Sequence, residues 1–172
     1  LIAKVLGLPV KRFIAATNGN DTVPRFLQDG RWRPHATLAT LSNAMDVGNP
    51  NNWPRIQHLL DQGLIDAAEL SAVAVSEADT VQAVRDLDVL GYLSEPHAAL
   101  AYKALQDGLQ AGEYGVFLGT AHSAKFSESV ESILGRGIEV PLALLEASRR
   151  PSLNGRIAAE YAALKAQLLA LA

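Results

Sequence analysis

The chain has 172 residues, 49% of them hydrophobic, enough for one domain with a genuine core and marginal for two. A net charge of -3 without runs of like charge gives no basic footprint for nucleic acid. The absence of cysteine removes disulfides, thiolate metal sites and a cysteine nucleophile and fits an intracellular protein, and no apolar run approaches the roughly 18 residues of a membrane helix.

Residue 1 is Leu, and Leu1-Ile2-Ala3-Lys4-Val5-Leu6-Gly7 already reads as the closing turns of a helix stopped by Gly7, so a missing N-terminus is expected. Val10 to Thr17 reads as a short strand broken by Asn18-Gly19-Asn20-Asp21. Thr22 to Gly30 reads as a helix with Pro24 in its first turn, and Ala36 to Leu41 as a weaker strand. After the loop Gly48-Asn49-Pro50-Asn51-Asn52, a helix opens at Trp53 with Ile56, Leu59 and Leu60 at helical spacing and closes at Gly63. Ser71 to Val75 is the next strand; Ser76-Glu77-Ala78-Asp79 caps a helix with Val81, Val84 and Leu87 on one face. Ser94-Glu95-Pro96-His97 starts another helix that runs to Gly108. Tyr114 to Leu118 reads as a strand, Gly119 to His122 as a turn, and the following helix buries Phe126, Val130 and Ile133. Strands alternating with helices predict an α/β fold, a three-layer domain on a parallel sheet. Past Gly135-Arg136-Gly137 the composition shifts to Ala and Leu in two helical pieces, Val140 to Ser148 and Arg156 to Leu171. The expected division is therefore 1–136, an α/β domain, and 137–172, a helical extension.

In open α/β sheets ligands bind outside the carboxyl ends of the strands, where helix N-termini and loop amides converge. That rule selects Asn18, Asn20 and Asp21, then Ser42 and Asn43, then Ser76 and Glu77, then Thr120 and His122. Plainer roles compete with each. Asn18 and Asp21 are ordinary turn and cap residues, and capping is the better reading without further context. Ser76, with Asp79 three residues on, reads as a cap only. A lone histidine in a first helical turn, such as His97, is more often a surface or packed residue. The four histidines, at 35, 58, 97 and 122, lack zinc-ligand spacing, so no metal site is expected. From spacing alone, a tight strand-to-helix turn at Gly119-Thr120 stands slightly above a functional one.

Four runs shift that balance. They are Leu6 to Phe13 continuing through Asn18 to Phe26; Thr40-Leu41-Ser42-Asn43-Ala44-Met45-Asp46-Val47 with Asn49 to Arg55; Ser94-Glu95-Pro96-His97; and Phe117-Leu118-Gly119-Thr120-Ala121-His122 with Ala124-Lys125-Phe126. In this order they resemble threonine synthases of the longer bacterial and fungal type, over roughly residues 1 to 135. Ser123 departs from the pattern, in which proline usually follows the histidine.

The resemblance implies the C-terminal part of a fold type II pyridoxal-phosphate enzyme. It also implies a reaction in the last step of threonine biosynthesis: conversion of O-phospho-L-homoserine and water to L-threonine and phosphate. Protons would leave the α and then the β carbon, the γ-phosphate would be eliminated, and water would add at the β carbon, with the cofactor as electron sink. It places Thr120 beside the pyridine nitrogen of pyridoxal 5'-phosphate, where a neutral hydroxyl can bond an unprotonated ring without forcing full charge on it. Asn18, Asn20, Asp21, His122 and Lys125 become candidates for contacting substrate or walling the site; Lys125 has the plain alternative of a solvated helix residue. The Schiff-base lysine is not identifiable among Lys4, Lys11, Lys103, Lys125 and Lys165. The family pattern puts it, and the glycine-rich phosphate loop, in an N-terminal part of the same enzyme that this chain lacks. The expected partner besides that part is the small-molecule substrate, with no nucleic acid, no membrane and a cytoplasmic setting. Two rivals remain open: a related pyridoxal-phosphate phospho-lyase, and a non-catalytic small-ligand-binding α/β remnant.

Overall fold

The computed structural model describes residues 1–171. A one-turn helix, α1 (Ile2–Val5), leads to strand β1 (Phe13–Thr17) and helix α2 (Thr22–Asp29). Helix α3 (Trp53–Asp61) precedes strand β2 (Leu70–Ala74), after which come α4 (Glu77–Val89), α5 (Pro96–Gly108) and α6 (Ser127–Leu134). Two further helices, α7 (Leu142–Ser148) and α8 (Tyr161–Leu171), close the described chain. Contacts separate two compact units, Leu1–Glu139 and Val140–Ala172, the second carrying α7 and α8.

The local logic is legible in the caps. Gly30 ends α2 in the left-handed region at φ 72°, where its amide reaches the Phe26 carbonyl and a side chain would be strained. Ser76 caps α4 by accepting from the Asp79 amide at 3.1 Å. Glu95, rather than Ser94, caps α5: its carboxylate accepts from the amides of His97 and Ala98, and Pro96 fills the first helical position.

β1 and β2 pair in parallel, Phe13 opposite Leu70 through Thr17 opposite Ala74. Ile14 and Ala16, two residues apart and so on one face of β1, pack with Leu100 and Ala104 of α5 and with Val75. Another side of α5 presents Ala99 to Ala83, Val84 and Leu87 of α4 and Ile133 of α6. Helix α5 thus stands between the sheet and the α4–α6 pair, the layered arrangement expected of an α/β fold.

Two of the four expected strands do not form ladders. Ala36 to Leu41 forms no strand, and its backbone is engaged by side chains. Leu38 exchanges hydrogen bonds with the Asn20 amide group at 2.9 Å in both directions, the Thr40 amide donates to Asp46 at 3.0 Å, and the Leu41 amide donates to Glu77 at 3.0 Å. Tyr114 to Leu118 forms none either: Gly115 lies against Leu105 and Phe117 packs at the α4–α5 core, and no neighbouring strand pairs with the segment among the described residues. The helix expected after His122 begins as a 3-10 turn, Ser123–Phe126, before α6 takes over and buries Val130 and Ile133. No described helix is long and apolar enough to cross a membrane.

Candidate functional site

The loop after β1 is held from beneath. Asn18 is 1% exposed, and its amide group donates to the Thr40 hydroxyl at 2.8 Å, the Ser42 hydroxyl at 3.0 Å and Asp46 Oδ1 at 3.0 Å. Its oxygen accepts from the backbone and side-chain amides of Asn20, both at 2.9 Å. Asp46 is the acceptor at the centre of this network: one carboxylate oxygen takes the Thr40 hydroxyl at 2.7 Å and the other takes the Thr40 amide. Buried polar groups are tolerated when they are paired, and no buried side-chain nitrogen or oxygen among the described residues lacks a partner. The structure therefore spends the hydrogen-bonding capacity of Asn18 and Asn20 on the Thr40–Asp46 loop.

Asp21 stands at the rim of the same turn. Partial burial pushes its carboxyl up, but the hydrogen bonds from Arg25 and His35, at 2.8 and 3.1 Å, outweigh that and hold it below the ordinary carboxylate value. It remains ionised beside two potential cations.

The fourth strand-end segment comes from the far side of α5. Gly119 approaches so closely that a Cβ there would sit 2.8 Å from the Tyr92 hydroxyl and 3.7 Å from Ala98 Cβ. Thr120, next in the chain, is exposed. His122 is also exposed and caps the 3-10 turn, its Nδ1 accepting from the Ala124 amide at 3.1 Å, and Lys125 on that turn is exposed. Ser123, where the family pattern has proline, is buried in the first position of the turn.

These two halves meet at a residue that pattern reading ranked low. His97 accepts the Ala44 amide on its Nε2 at 3.1 Å, holds Glu95 through Nδ1, and lies 4.7 Å, centroid to centroid, from the Phe126 ring. The Thr40–Asp46 loop, the start of α5 and the Gly119–Phe126 segment converge on it. Asp46 and Glu95 also went unselected. A signal for Glu95 existed, an acidic residue directly before a helix-opening proline, whereas nothing local marks Asp46 as a hub. Among the described residues no group of three or more His, Asp or Glu could hold a metal ion.

With this geometry in place, comparison with known proteins is informative. No protein-family model matches the chain. It is 57% identical over 171 residues to a threonine synthase of Serratia marcescens, covering 99% of this chain and 40% of that protein. The crystal structure of threonine synthase from Escherichia coli superimposes with a TM-score of 0.93 at 57% identity, over 99% of this chain and 40% of that one. The structure of pyridoxal-phosphate-bound threonine synthase from Brucella melitensis gives a TM-score of 0.77 at 27% identity, over 88% of this chain and 38% of that one. The likeness thus reaches past residue 135, where the four runs left it, and the chain spans about 40% of the length of the relatives it matches.

Proposed function

We propose that this chain forms one wall of the active site of a pyridoxal-phosphate-dependent threonine synthase, a cytoplasmic enzyme converting O-phospho-L-homoserine and water to L-threonine and phosphate. The observation that carries this reading is the exposed Thr120. It directly follows a glycine packed too tightly for a side chain, and it sits on a segment anchored through Phe126 to the start of α5.

The residues present fit one edge of the cofactor. A neutral hydroxyl beside the ring nitrogen can donate to it while leaving the ring uncharged, unlike a carboxylate, which would stabilise a protonated ring. Pyridoxal phosphate, when bound, supplies the electron sink for proton loss from the substrate carbons. Thr120 orients the ring edge and moderates that sink, favouring elimination of phosphate and addition of water over competing carbanion chemistry. His122 and Lys125, both exposed on the adjoining turn, meet the anionic substrate in this reading, and the Asn18–Asp21 turn walls the site on its buried network.

In this reading the covalent centre belongs to the rest of the enzyme, and three of the chain's five lysines are tied to carboxylates. Lys4 is bonded to Glu69 at 2.6 Å and to the Val10 carbonyl at 2.8 Å, Lys11 to Glu113 at 2.8 Å, and Lys103 to Asp107 at 2.6 Å. The partner in this proposal is accordingly the remaining part of the same polypeptide, with residues 137–172 as a helical extension.

Thr120→Asp in the full-length enzyme tests the role. The expected outcome is slower phosphate release and a product balance moved from threonine toward 2-oxobutyrate. Unchanged phosphate release and an unchanged product ratio would remove Thr120 from the ring edge. Formation of 2-oxobutyrate without threonine by the unaltered enzyme would favour a phospho-lyase instead.

A further inference from the structure

His97 joins segments that lie far apart in the chain, and its two ring nitrogens face partners of opposite kind. Glu95, 1% exposed, caps α5 by accepting from the amides of His97 at 2.7 Å and Ala98 at 2.8 Å, and the same carboxylate meets His97 Nδ1. Glu95 Oε2 already accepts from the His97 amide, and a proton on Nδ1 lets it accept from the ring as well. On the opposite edge the Ala44 N–H donates to Nε2 at 3.1 Å, which requires a bare lone pair there. Both bonds are satisfied by one species, the neutral Nδ1–H tautomer. A flipped tautomer or an imidazolium would set N–H against N–H at Ala44.

What this ring fixes is the spacing of two segments. The Ala44 bond holds the Thr40–Asp46 loop, which in turn grips Asn18 and Asn20. On its other side the ring packs at 4.7 Å from Phe126, the last residue of the turn that carries His122 and Lys125. We propose that His97, held by Glu95 in the Nδ1–H tautomer, is a positioning residue that sets the β1-end loop network against the Thr120–Lys125 segment. This rests on the threonine synthase reading for its effect on turnover, though not for its structural content.

The test uses the full-length enzyme loaded with pyridoxal phosphate and labelled with nitrogen-15 at histidine. Imidazole nitrogen shifts should report the Nδ1–H tautomer for His97, and the Ala44 amide should exchange slowly. Glu95→Gln, which keeps the cap length but can face Nδ1 with either end of its amide, should give mixed tautomers and faster Ala44 exchange. His97→Ala should lower kcat on the order of tenfold with KM within about twofold, the scale of a small misplacement of reacting groups. His97→Gln, which puts an acceptor near the Nε2 position, should recover part of that loss. An Nε2–H tautomer in the unaltered protein, or Ala44 exchange indifferent to Glu95→Gln, overturns the proposal. So does a large KM change with kcat intact, which would make His97 a substrate contact. If the unaltered enzyme forms no threonine, the functional reading fails alone, since tautomer and amide exchange still decide the role of His97.

Discussion

Asn18 shows why a residue at the carboxyl end of a strand can look like a ligand contact and be an internal support. Its donors and acceptor are all taken by Thr40, Ser42, Asp46 and Asn20 within 3.0 Å, and almost none of its surface meets solvent. Removing one member of such a network leaves the others desolvated and unpaired, at about 1–3 kcal/mol for a neutral group and more for Asp46 if it keeps its charge. Asn18→Ala is therefore expected to lower the stability of the full-length protein by at least that amount, read from urea unfolding, with KM for substrate little changed. A raised KM at unaltered stability would instead return Asn18 to direct substrate contact. The placement of Asn18 and Asn20 at the end of a strand was legible in the sequence, because β1 ends at Thr17 just before the polar turn. Their occupations were not, because Asp46 and Glu95 are common residues whose roles arise only when segments distant in the chain meet.

At the scale of elements, β1 and α5 are tied at their outer ends by a charged clasp. Glu113, just past α5, accepts from Arg12 and from Lys11 at 2.8 Å, and from the Gln110 amide at 3.0 Å, while Arg12 also donates to the Gly108 carbonyl. The Arg12 hydrogen bond, then Lys11 and the Gln110 amide, draw the Glu113 carboxyl from an ordinary 4.5 down to about 2. A carboxylate with a depressed folded-state pKa stabilises the fold above its unfolded value, and that contribution is lost as pH falls through the folded value. For Glu113 the window runs from about pH 4.5 down to about 2. Glu113→Gln should thus weaken the protein at neutral pH and flatten its stability profile across that window, so that the two proteins converge near the acid end. Parallel profiles in acid titrations followed by circular dichroism would show that the clasp is solvated away. Elements themselves were read well where periodicity and caps agree, as in α4 and α5. They were misread at Ala36 to Leu41, where local pattern suggests a strand but side chains from Asn20, Asp46 and Glu77 take the backbone groups a ladder needs.

At the scale of the molecule, the sheet is unlike a finished parallel sheet. Parallel strands are ordinarily covered on both faces, whereas β1 is half-buried along its length and Val73 of β2 is 38% exposed. The Tyr114–Leu118 segment goes further: Gly115 and Phe117 face α5 and the core, while Tyr114, Val116 and Leu118 are 102%, 85% and 75% exposed. Tyr114, Val116 and Leu118, two residues apart, thus leave an apolar face uncovered along this segment. An isolated chain would leave both that face and its backbone groups to water, and the relatives this chain matches are some two and a half times longer. The proposed occupant is the remainder of the enzyme, pairing with this segment and covering its outer side chains. In the full-length protein the Val116 and Leu118 amides should then resist hydrogen exchange on the timescale of the β1 amides, and Val116→Glu should destabilise through a buried charge without a partner. Rapid exchange at both amides together with a tolerated glutamate would leave this segment on the enzyme's surface. The line from Thr120 to a shared active site would then lose its structural support, because Thr120 lies two residues past this segment.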